Sequence, residues 1–149
     1  MTNARSRFLA LTVVAIAFFS VIAVRAAEEK SAAQPASGES RYFEMRKYYA
    51  AEGKLDALNA RFRDHTVALF EKHGMDIVGF WVPIEGDEAN KVLIYLLAFP
   101  SKEARDASFK AFGNDPEWKK AHAESEKDGK LVDKIESTFM SPTDYSAIK

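Results

Sequence analysis

The chain is predicted to form an α+β domain, one four-stranded antiparallel sheet with helices on a single face. Two patterns carry this expectation. From Arg41 onward the apolar periodicity alternates between two and three-to-four residues in the order β-α-β-β-α-(α)-β. Two βαβ units in that order, joined by right-handed crossovers, close into a ferredoxin-like sandwich with the first and third strands at its centre.

Tyr42 to Tyr49 opens the domain as a strand, because its side chains divide by parity: Tyr42, Glu44, Arg46 and Tyr48 on one face, Phe43, Met45, Lys47 and Tyr49 on the other. Gly53 to His73 reads as a helix with Leu55, Leu58, Phe62, His65 and Leu69 on one stripe and Gly74 as its stop. Met75 to Val82 is the second strand, closed by Pro83 and the Glu85-Gly86-Asp87 turn. Lys91 to Phe99, nearly unbroken in Val, Leu, Ile, Tyr and Phe, is the central third strand. Ser101 caps a helix carrying Ala104, Ser108, Phe109 and Phe112. Asp115-Pro116 places a cap before a proline at the first helical position, opening a short helix through Trp118 and Ala121 to Asp128-Gly129. Leu131 to Met140 is the last strand.

Phe43 and Met45 are the apolar anchors expected to face the core. Tyr42, Glu44, Arg46 and Tyr48 would then line the face that no helix covers. A bare sheet face with aromatic groups calls for a partner, and two copies facing each other across a twofold axis would enclose it as a dimeric α+β barrel. A homodimer is therefore expected from the pattern alone.

The N-terminus reads as an address. Arg5 and Arg7 precede an apolar run from Phe8 to Val24, and Val24-Arg25-Ala26 sets small residues at the positions a signal peptidase reads, predicting a signal peptide over 1–26. A retained anchor is the alternative, although the run is shorter than the roughly 20 residues that span a bilayer. Residues 27–40, rich in Ala, Ser, Glu, Gln and Pro, read as a flexible linker. The folded domain is placed at 41–145 and a C-terminal tail at 146–149. A periplasmic or secreted protein follows, with no membrane contact after cleavage. The chain has no cysteine, so no disulfides contribute to its stability. Its net charge of −1 with interspersed signs leaves no footprint for nucleic acid.

Seven short motifs occur in order: Tyr42-Phe-Glu44-Met-Arg46-Lys-Tyr48, Arg61-Phe-Arg-Asp-His65, Phe70-Glu-Lys-His73-Gly74, Gly79-Phe-Trp81, Tyr95-Leu-Leu-Ala-Phe99, Asp115-Pro-Glu-Trp118 and Glu136-Ser-Thr-Phe-Met-Ser-Pro142-Thr. Together they resemble the NIPSNAP family over residues 41–145. The resemblance implies the dimeric α+β barrel, a fold shared with small monooxygenases and haem-handling proteins, and brings no established reaction, cofactor or catalytic residues.

The candidate ligand pocket is built from Tyr42, Glu44, Arg46, Tyr48, His65, Trp81, Tyr95, Lys134 and Glu136. Lys134, Glu136 and Thr138 share parity on the last strand, which is expected to pair with the first. Glu44, Arg46, Lys134 and Glu136 would then form a buried ion network, charges that are tolerated inside mainly when paired. Such a network either satisfies itself and specifies the interface, or orients a polar ligand against an apolar wall of Tyr42, Tyr48, Trp81 and Tyr95.

His65, on the apolar stripe, is either a hydrogen-bonded core residue or a base or haem ligand, and the first reading is preferred. His73 fits the negative end of the helix dipole, and His122 with Glu126 reads as a solvated pair. Trp118 is read as core, with a cap over the barrel mouth as the alternative. No element offers three metal ligands, and there is no nucleophile elbow, phosphate loop or Cys-His pair. No metal and no cofactor are expected, and no catalytic residue is named. The function expected is binding of a small organic ligand within a homodimer; the alternatives are a cofactor-independent monooxygenase and an interaction module with a filled barrel.

Overall fold

The structure is a computed structural model that describes residues 41–149; the expected signal peptide and linker, residues 1–40, lie outside the described residues. The strands are β1 (Tyr42–Ala50), β2 (Asp76–Trp81), β3 (Val92–Phe99) and β4 (Val132–Met140). The helices are α1 (Leu55–Arg61), α2 (Val67–Lys72), α3 (Lys102–Asn114) and α4 (Pro116–Ser125), with a π-helical turn over Phe62–Thr66 joining α1 to α2. The strands form one antiparallel sheet in the order β2-β3-β1-β4, the ferredoxin-like arrangement with β1 and β3 at its centre.

The local stop and start signals act as expected. Gly74 ends α2 at φ 71°, a conformation that costs glycine little. The Ser101 hydroxyl accepts from the Ala104 amide at 3.2 Å and caps α3. Asp115 accepts from the Glu117 amide at 2.8 Å, with Pro116 in the first turn of α4.

The core lies between the sheet and the helices. Leu58, Phe62, Leu69 and Phe70 from the first helical segment and Phe112 from α3 pack on Leu93, Tyr95, Leu97 and Phe99 of β3. Phe70 is its hub, with ring centroids of Phe112, Tyr95, Phe62 and Phe109 between 5.0 and 6.2 Å away. Trp118 packs against the same cluster, 4.4 Å from the Phe112 ring, in keeping with its reading as core.

Cross-strand register settles which face of β1 meets this core, and it reverses the expectation. Tyr42, Glu44, Arg46 and Tyr48 stand opposite Phe99, Leu97, Tyr95 and Leu93, the β3 residues under the helices. They therefore lie on the covered face. The open face carries Phe43, Met45, Lys47 and Tyr49 with Ile94 and Leu96 of β3 and Lys134, Glu136 and Thr138 of β4. Phe43 is nonetheless only 5% exposed on that face, with the Arg41 guanidinium 5.2 Å from its ring.

One further residue, His65, falls elsewhere than the periodicity implied. An α-helical stripe through Leu58 and Phe62 reaches His65 as readily as Thr66, but the π-helical turn widens the spacing. Thr66 is thus the residue that turns inward, and His65 is exposed. In β2 a bulge between Ile77 and Gly79 switches parity, so Ile77 and Phe80 both pack on the core while Gly79 and Trp81 lie on the open face. The Trp81 ring lies back over Gly79, where an added Cβ would stand 2.7 Å from it.

Candidate functional site

On the covered face Glu44 is completely buried beneath α3. The Arg105 guanidinium grips it side-on, Nε donating to Oε2 at 2.7 Å and Nη2 to Oε1 at 2.8 Å. Its remaining nitrogen donates to Asp106 at 3.0 Å. Arg105 is thereby committed. It escaped the sequence reading, although Arg105, Phe109 and Phe112 stand at i, i+4 and i+7 on one helix face.

Arg46 stands beside this pair and is not absorbed by it. Its Nε is 3.7 Å from Glu44 Oε1, beyond hydrogen-bond reach, and is buried without a hydrogen-bond partner. The Tyr48 and Phe109 rings flank the guanidinium at 5.3 and 5.0 Å and hold its plane. Tyr95, directly across from Arg46 on β3, is also buried, and its hydroxyl has no hydrogen-bond partner. Burial and the neighbouring Tyr48 push that phenol well above its ordinary pKa, so it is a neutral donor.

The neighbourhood of Arg46 is open on the side of β4. Phe139, Ser137 and Ile135 of β4 stand opposite Glu44, Arg46 and Tyr48, on the helix side of the sheet. Phe139 is 51% and Ile135 46% exposed, so the helix layer stops short of the edge strand. The Phe139 ring stacks on Tyr42 at 5.6 Å and receives the Arg105 guanidinium at 5.4 Å. The strip of sheet between α3 and β4 is thereby left open to solvent beside Arg46, and this strip is the groove. A wide cavity of about 670 Å³ lies elsewhere, at the end of the sheet among Ala51, Gly53, Asp56, Asn90, Lys91 and Asp133. The site is placed at Arg46, a buried polar group without a partner that also stands beside aromatic rings and the exposed edge strand; the buried Arg61 Nε, likewise unpartnered, belongs to a side chain already paired with Glu126.

The expected network of Glu44, Arg46, Lys134 and Glu136 does not form, since the two pairs lie on opposite faces of the sheet. Lys134 meets Glu136 at 2.5 Å on the open face. There the Tyr49 hydroxyl lies 2.9 Å from carboxylate oxygens of both Glu88 and Glu136, and Lys47 donates to Glu88 at 2.8 and 2.9 Å. Of the nine expected pocket residues, Tyr42, Glu44, Arg46, Tyr48 and Tyr95 come together. Trp81, Lys134 and Glu136 are on the other face, and His65 is in solvent. Phe109, Ile135 and Phe139 join the site unforeseen.

The remaining histidines belong to fastenings between helices. His73 Nε2 lies 2.8 Å and Lys72 Nζ 3.0 Å from Asp115 Oδ2. Lys72 foremost, then His73, hold that carboxyl far below the usual carboxylate range. A carboxylate with a depressed folded pKa stabilises fully above its ordinary value of 3.8 and loses this contribution as the pH falls below it. Asp115→Asn keeps the cap and removes the charge. It is expected to unfold more easily than the parent at neutral pH, with the difference closing in strong acid; denaturant titrations across that range check it, and a pH-independent difference counts against the linkage. His122, half exposed, lies 3.6 Å from Glu126, which also accepts from buried Arg61 at 3.0 Å. Among the described residues no group of three His, Asp or Glu could hold a metal ion, and no helix is long and apolar enough to cross a membrane.

The family model that matches the chain is NIPSNAP, over residues 43–147, and the chain belongs to that family. A NIPSNAP family protein of unknown function from Agrobacterium tumefaciens has a similar structure, with a TM-score of 0.65, 21% identity and coverage of 75% of this chain and 96% of that one. A second from the same organism has a TM-score of 0.65, 19% identity and coverage of 73% and 99%. An uncharacterized NIPSNAP domain protein from Burkholderia xenovorans has a TM-score of 0.61 at 19% identity, with coverage of 70% and 97%. No curated protein matches the chain.

Proposed function

We propose that this is an exported NIPSNAP domain that binds a small organic ligand in the groove between α3 and β4, once in each subunit of a homodimer. The observation that carries the reading is the buried, unpartnered Arg46 Nε, with the Tyr48 and Phe109 rings against its guanidinium, beside the open strip between α3 and β4. A buried donor without a partner costs about 1–3 kcal/mol, more for a charged one, which favours a site built to be filled. Mass spectrometry of small molecules extracted from protein purified from its own host is expected to find one compound per chain. Protein that carries none, and gains no thermal stability from any member of a metabolite library, counts against the reading.

The occupant of the open face is a second copy. Four strands about 4.8 Å apart and some 27 Å long present roughly 500 Å² of flat face per subunit, about 1,000 Å² in a pair, which reaches the lower bound of a stable interface. The face also carries both signs of charge, Lys47 and Lys134 among Glu88 and Glu136, so it can meet a twofold copy of itself. Leu96→Lys sets an unpaired charge at the middle of β3 on this face. It is expected to yield a folded monomer, the dimer weakened at least a hundredfold by a like-charge pair across the axis. Sedimentation equilibrium checks this, and a parent protein that is monomeric at micromolar concentration contradicts the assembly.

A further inference from the structure

Resting on that reading of the groove, we infer that its ligand carries an anionic oxygen, of carboxylate class, received by the guanidinium of Arg46, and an apolar body that lies along Phe139 and Ile135. Charge makes the first part of the case. Two arginines and one glutamate meet beneath α3, and Arg105 has already spent Nε and Nη2 on Glu44 and Nη1 on Asp106. Glu44 is neutralised by that side-on pair, so the second cation is left over. An arginine cannot shed its proton, and no hydrogen bond reaches its buried Nε.

Geometry makes the second part. The Arg46 side chain retains 15% exposure while its Nε is buried, so the guanidinium end is what remains within reach of the groove. The Tyr48 and Phe109 rings stand 5.3 and 5.0 Å from the guanidinium, whose planar nitrogens present a fork of the kind that matches a carboxylate edge. Donors without acceptors select an acceptor. The exposed rings and branched chain of Phe139 and Ile135 lie beside this fork and suit a hydrocarbon portion.

The test compares acids with their uncharged isosteres. Benzoate, phenylacetate, 1-naphthoate and octanoate are titrated against their primary amides into protein purified from its own host. Binding is read from the arginine Nε–H resonances in NMR spectra. At least one acid is expected to bind tenfold or more tightly than its amide and to shift one arginine Nε–H signal, which is missing in Arg46→Gln. Arg46→Lys is expected to keep part of the preference for the acid. Acid and amide binding alike, with Phe139→Ala weakening both, would overturn the anion inference and leave the groove as a ligand site. If no acid or amide binds, or if binding shifts only signals of the open face such as Trp81, both the inference and the groove reading fail.

Discussion

Phe70→Ala is expected to destabilise the domain by about 4 kcal/mol, within the range for removing a large aromatic side chain from a core that cannot collapse around the gap. Phe70 is 1% exposed and its ring meets Phe62, Tyr95, Phe109 and Phe112, which come from three different elements. No single neighbour can move in without leaving another. Urea denaturation measures the loss. A change below about 1.5 kcal/mol would show that the helices do not pack on the sheet through this residue.

Arg105→Met is expected to cost about 3 kcal/mol, because it leaves the fully buried Glu44 without its fork of hydrogen bonds. The figure is set at the low end of the range for breaking a buried pair. Arg105 is itself one-fifth exposed, and Arg46, at 3.7 Å, stands near enough to take over part of the charge. Adding Glu44→Gln to Arg105→Met is expected to recover much of the loss, since the uncompensated charge goes with it. A double-mutant cycle reads the coupling, and a coupling below about 0.5 kcal/mol would mean that Glu44 is not held by Arg105.

Features whose cause is local were legible in the sequence. The cap at Ser101, the Asp115-Pro116 start and the stop at Gly74 each depend on a few neighbouring residues, and each stands where the residue types placed it. Strand order was legible as well, because β-α-β-β-α-β with right-handed crossovers leaves few alternatives. The alternation along β1 was read correctly, but alternation divides residues between two faces without saying which face the helices cover. That choice is made by Tyr95, Leu97 and Phe99 on β3 and by Arg105 on α3, residues far away in the chain. His65 was misplaced for a different reason. A π-helical turn widens the regular helical period, so the side chains beyond it are rotated around the helix relative to an α-helical stripe.

In the proposed function the helix side of each subunit holds a ligand and the open side holds the second copy. Native mass spectrometry of the parent protein and of Leu96→Lys, both purified from their own host, separates these roles. The parent is expected to appear as a dimer carrying two equal small-molecule additions, and Leu96→Lys as a monomer that still carries one. A single ligand per dimer, or a monomeric variant stripped of its ligand while remaining folded, would place the site between the subunits and contradict the assignment of the groove at Arg46.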